Sequence, residues 1–171
     1  VLLCRMRSSH LRTTATKATQ QKKTKDCFAD RSRFYYSVGN LDNWLSKNQP
    51  EQPGGCFSIH VFERELTFKE MAEQLLVVAE EDAKVLGNLL KERGYTTTLP
   101  AIEAFIECQE SGEDVGLRTD GHCNFFFVED DKGSVSVVNA YRYDRQWSVD
   151  VHRLSYDVRW NAGCRLFVRN S

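Results

Sequence analysis

Asp120, His122 and Cys123 stand together in the stretch Asp-Gly-His-Cys, residues 120–123. A carboxylate two residues from an imidazole can orient it, and a protonated imidazole can favour a neighbouring thiolate. Asp-Gly is also a turn pair whose Asp bonds its own backbone, so the stretch equally reads as a turn launching a strand. Successive strand residues point to opposite faces, which would separate His122 from Cys123. Two further histidines bear on the question: His60, and His152, which lies two residues beyond Asp150. If their strands are neighbours, His60, His152 and Asp150 could converge, and with the His122–Asp120 pair they complete the candidate set. Such a group suits general acid–base work or a divalent ion, the chemistry of a hydrolase or nuclease. The chain carries no His-Glu-x-x-His, no Gly-x-Ser-x-Gly and no Gly-rich phosphate loop. No metal or cofactor is expected.

A second set of residues points to binding instead. Arg142, Arg145, Arg153, Arg159, Arg165 and Arg169 interleave with Tyr141, Tyr143, Trp147, Tyr156, Trp160 and Phe167. Guanidinium groups beside aromatic rings on an antiparallel sheet suit an acidic protein partner, or single-stranded nucleic acid held by stacking and charge. The same composition arises where rings are core and arginines reach out at the rim. The preferred reading is a non-catalytic binding domain whose contact surface is a sheet face or edge bearing Arg142, Tyr143, Arg145, Arg153, Arg165, Phe167 and Arg169. A second copy of the chain is one partner that would cover exposed rings.

Net charge is −1, with strong asymmetry: residues 1–33 carry +7, residues 34–117 carry −9 and residues 118–171 carry +1. The six cysteines, at 4, 27, 56, 108, 123 and 164, form no Cys-x-x-Cys pair. They read as reduced thiols of a cytoplasmic protein. Glu107 and Glu110 beside Cys108 would raise its thiol pKa. Glu103 and Glu107, one turn apart, read as a solvated acidic face that could meet a basic partner. No apolar run approaches the roughly 20 residues of a bilayer span, so no membrane contact is expected.

These residues need elements to position them. Residues 1–33 read as a basic, disordered arm, because residues 1–25 have seven basic groups, no acid and little to bury. That arm could contact nucleic acid, direct the chain to an organelle or have no role. Residues 34–171 read as a single domain. Strands are expected at 33–38, 56–65, 123–129, 134–141, 147–154 and 164–169, with a helical turn in 40–48 and a loop at 49–55. Apolar groups on both faces of Cys123–Glu129 predict a central strand. Thr67 to Glu70 forms a capping box, and apolar spacing from Phe68 onward predicts one helix reaching Arg93, about 39 Å long. Thr98 and Pro100 open a second helix that ends before Gly112. Together they predict an α+β fold: a mostly antiparallel sheet of about five strands, ending in a meander, with a two-helix hairpin on one face.

Overall fold

The computed structural model describes residues 7–11, 24–35, 41 and 56–170. The expected loop at 49–55 and most of the helical turn at 40–48 lie outside them. The sheet contains β1 (Arg7–Leu11), β2 (Phe34–Tyr35), β3 (Cys56–Val61), β4 (Asn124–Glu129), β5 (Val135–Tyr143), β6 (Gln146–Arg153) and β7 (Arg165–Asn170). Among the described residues the α-helices beside it include α1 (Phe68–Leu76), α2 (Ala83–Glu92) and α3 (Leu99–Glu110). The fold is α+β, and the sheet is mostly antiparallel, as the strand-forming patterns imply. Strand order is β1-β3-β7-β4-β5-β6-β2, and of these strand pairs β4–β7 and β2–β6 are parallel. No helix among the described residues is long and apolar enough to cross a membrane.

The C-terminal strands do not form a simple meander. β4, β5 and β6 do, but β7 crosses back to lie between β3 and β4. The return is pinned where Trp160 and Leu66 exchange backbone hydrogen bonds at 2.9 and 3.3 Å. β4 is thereby central, and Asn124 to Val128 are all buried.

Alternation along the strands builds two cores. Phe126, Val138, Trp147 and Phe167 face α3, whose Ile102, Phe105 and Ile106 cover them. Phe125, Phe127, Val137 and Leu166 face α1 and α2. The expected long helix is two helices. α1 stops at Val77, which takes a left-handed conformation (φ 56°), and the Val77 and Val78 amides close the last turn on Gln74 and Glu73. Glu80-Glu81-Asp82 then crosses solvent before α2 begins. The break lets Leu76 and Leu86 both reach the sheet, so the pair on one face is α1 with α2. The second expected helix, α3, covers the opposite face, together with Cys27, Phe28, Phe34 and Leu41.

The folded unit extends further back than residue 34. β1 pairs with β3, and Cys27 and Phe28 are buried in the α3-side core. Phe28 (φ 55°) donates its amide to Glu103 Oε2 at 3.1 Å, and its ring meets Phe34 edge-on at 5.1 Å. Glu103 is 3% exposed, so it is not part of a solvated acidic face. A buried carboxylate that holds a left-handed residue in place gives a clear expectation. Glu103→Ala leaves a buried amide unsatisfied and should cost about 1–3 kcal/mol or more. Glu107→Ala, one exposed turn later, should cost less than about 0.5 kcal/mol. Urea unfolding of the two variants checks this; equal, small losses would contradict the role given to Glu103.

Candidate functional site

His60, Leu166, Phe125, Asn139 and Asp150 lie in one row across the sheet, on the face that carries α1 and α2. His60 on β3 is therefore four strand spacings from Asp150 on β6, about 19 Å at ~4.8 Å each. The expected convergence of His60 with His152 and Asp150 does not occur, because the return of β7 and the insertion of β4 and β5 separate the strands. His152 belongs to an aromatic cluster. Its ring stacks on Tyr156 (centroids 4.9 Å, 12°) and lies 5.6 Å from Trp160 and 5.9 Å from Phe68. Burial lowers its pKa, and Asp150 partly offsets this.

His122 and Asp120 remain together, at the entrance to β4. Asp120 Oδ1 lies 3.1 Å from His122 Nδ1 and accepts the His122 amide at 3.3 Å. Arg118 binds Asp120 through Nε (3.2 Å) and Nη2, which holds that carboxyl far below its usual range. Arg118 Nη2 is also 3.2 Å from His122 Nδ1. One ring nitrogen cannot donate to Asp120 and accept from Arg118 at once; with the carboxylate ionised, donation to Asp120 is favoured. The Cδ2–Nε2 edge of the ring then faces Gly163, where an added Cβ would sit 3.2 Å from Cδ2.

The loop holding this group is fixed from below. Buried Asn124 accepts the Arg118 amide at 2.8 Å and donates to the Arg118 and Ala140 carbonyls at 3.0 and 2.9 Å. Arg165 donates to the Gly116 carbonyl. Beside His122, the Cys123 and Cys164 thiols lie close enough for the ionisation of each to affect the other. Cys164 is pushed below the usual thiol range by hydrogen bonds from Cys123, with the charges of His122 and Arg118 adding to them; Cys123 is raised in turn. Among the described residues, no three His, Cys, Asp or Glu side chains are grouped to hold a metal ion.

The arginines and aromatic rings do not form one open face, because helices cover both sides of the sheet. Phe167, offered above as a contact residue, is fully buried and stacks on Phe126 (5.1 Å, 18°). Arg142 lies over the Trp147 ring at 5.8 Å and bonds Glu110 at 3.2 Å. Trp147 Nε1 donates to the same carboxylate at 3.0 Å, and Arg33 pairs with it too. Arg165 is turned inward to Gly116, half-buried Arg169 lies across from Phe57, and Arg153 is exposed at the far end of β6. Only Tyr143 and Arg145 of that set share an exposed location, the tip of the β5–β6 hairpin. Tyr35 joins them, since β2 pairs Tyr35 with Ser148, and Ser148 pairs with Tyr141.

Cys164 and Asn139 escaped the sequence reading. Cys164 lies 41 residues from Cys123 with no local motif, and only the β4–β7 register brings it alongside. Comparison with family models, curated proteins and solved structures finds no match for this chain.

His152 yields a pH expectation. Its folded-state pKa lies below the unfolded value of about 6.5, so its contribution to stability is full above that pH and declines as pH falls toward the folded pKa. His152→Phe keeps the ring contacts and removes the proton uptake. Between about pH 7.5 and about pH 5.5, the urea midpoint should fall more in the parent than in this variant. Parallel falls would mean that His152 is not held neutral.

Proposed function

We propose that this chain is a non-catalytic interaction domain whose contact surface is the corner of the sheet carrying Tyr35, Tyr143 and Arg145, and that a second copy of the chain occupies it. The observation behind this reading is the display of two large rings on one face: Tyr143 is 74% exposed and Tyr35 58%. Tyrosine presents a broad, rigid, amphipathic surface at small entropic cost, which is why it is enriched at protein interfaces. The tip is a tight turn. Asp144 (φ 45°) and Arg145 (φ 67°) both adopt left-handed conformations, as a two-residue hairpin turn of the twist-matching kind requires. Neither is glycine, so backbone strain is accepted at this position.

The charges favour a like partner over a strongly acidic one. Arg145 sits next to Asp144, and the turn through Asp30 and Arg31 lies against Gln146, which donates to the Ser32 carbonyl at 3.0 Å. A patch with both signs around apolar ring surface is what a two-fold, self-complementary contact needs. The arginines that would make the surface uniformly basic are engaged elsewhere, Arg142 and Arg33 on Glu110 and Arg165 on Gly116.

Sedimentation equilibrium over a concentration series tests the reading. The parent chain should show a reversible dimer. Tyr143→Ala and Tyr35→Ala, both at exposed positions, should each weaken association about tenfold, or ~1.4 kcal/mol. A chain that stays monomeric throughout, or a dimer indifferent to both truncations, would overturn it.

A further inference from the structure

We infer that Cys123 and Cys164 form a modification site, a dithiol that hydrogen peroxide converts to a disulfide joining β4 to β7. Backbone pairing positions it. Asn124 pairs with Arg165 in the parallel ladder, and Arg165 donates its amide to the Cys123 carbonyl at 3.0 Å. The two cysteines are therefore immediate neighbours on adjacent strands, whose separation of ~4.8 Å falls within the ~4.4–6.8 Å that a disulfide spans between Cα atoms. Both side chains join the apolar cluster on the α1–α2 face, Cys164 within it and Cys123 packed against it.

The surroundings are those of a reactive thiol pair rather than of two inert core cysteines. Asn139 is 3% exposed, lies close enough to Cys123 to affect its ionisation, and leaves Oδ1 without a partner among the described residues. An unsatisfied amide oxygen in a dry core is costly. A hydroxyl donor formed nearby by oxidation would relieve that cost. The charges of His122 and Arg118 act on Cys164, and Gly163 lets the imidazole lie against the backbone that carries Cys164. Cys164 is 5% exposed and Cys123 only half-buried, an access suited to a small oxidant and closed to bulky ones. The other thiols described make a contrast: Cys27 is fully buried, and burial with Glu113 and Glu107 pushes Cys108 up.

The chemistry balances in two steps. The Cys164 thiolate, having released its proton to solvent, attacks one oxygen of the peroxide; the O–O bond breaks and hydroxide leaves, taking that proton as water. Cys164 is then a sulfenic acid, oxidised by two electrons. The Cys123 sulfur attacks it, the S–S bond forms and the S–O bond breaks, and the departing hydroxyl leaves as a second water with the Cys123 proton. One peroxide is reduced and two thiols are oxidised.

The test uses the full chain treated with stoichiometric hydrogen peroxide, then alkylated, digested without reductant and mapped by mass spectrometry. A peptide pair joined through Cys123 and Cys164, two hydrogens lighter than the reduced pair, is expected to form about tenfold faster than any change at Cys108. In Cys123→Ser, Cys164 should stop at the sulfenic acid and be captured by a 1,3-dione probe. In Cys164→Ser, Cys123 should react about tenfold more slowly than in the parent. Finding both cysteines still alkylatable after Cys108 is consumed would overturn the inference. So would their linkage at the same rate in urea-unfolded chain; if a serine variant fails to fold, these two results with the parent chain decide.

Discussion

Three residue pairs hold the two halves of the sheet together: Asn124 with Arg165, Phe125 with Leu166, and Phe126 with Phe167. On one side of this parallel ladder lie β3 and β1, on the other β5, β6 and β2. Parallel pairing is somewhat weaker per residue than antiparallel pairing, and three pairs give few hydrogen bonds, so side chains must secure the seam. They do so on both faces. Phe126 and Phe167 stack, and Phe105 of α3 meets them at 6.2 and 5.4 Å. On the opposite face Phe125 contacts Phe68 at 5.0 Å and Trp160 at 5.1 Å. Such aromatic pairs contribute about 0.5–1.5 kcal/mol each beyond the area they bury.

The same ladder positions the chemistry. Asn124 is its first residue, and its amide group ties the Arg118 backbone to β5, which in turn sets where Arg118 meets Asp120 and His122. Arg165, its opposite number, anchors Gly116. One step before the ladder begins, the register leaves Cys123 beside Cys164. A second anchor works at the other end of α3. Glu110 collects Arg33, Arg142 and the Trp147 indole, while buried Glu103 takes the Phe28 amide. Exposed ion pairs of this kind add little stability, about 0–1 kcal/mol. Their consequence is geometric: they fix residues 24–35 against β6 and so bring Tyr35 toward the hairpin tip.

Much of this fold is legible in the residues because local patterns report local outcomes. The alternation in Cys123–Glu129 and Trp147–Arg153, the Thr67 and Thr98 caps and the position of Pro100 correspond to real elements with boundaries close to those expected. What escapes is what depends on tertiary packing. A capped apolar run from Phe68 to Arg93 is compatible with one long helix, and only the need to cover one sheet face with both halves breaks it at Val77. Glu103 looks solvated by its helical phase until Phe28, from a polar and basic stretch, is found folded over it. The candidate site follows the same division. Asp120 and His122 are two residues apart in sequence and stay together, whereas His60, His152 and Cys164 depend on strand order, which a single sequence does not encode locally. A plain meander would have left Cys164 beyond β6, away from Cys123.

The central claim is therefore the crossing of β7 back to β4, and nuclear Overhauser contacts in the intact chain test it most directly. Strong cross-peaks between the Phe126 and Phe167 rings, and between the β-protons of Cys123 and Cys164, are predicted, together with slow hydrogen exchange at the Arg165 amide. Contacts from β7 to β6 instead, with a rapidly exchanging Arg165 amide, would contradict the sheet order and with it the origin of the thiol pair.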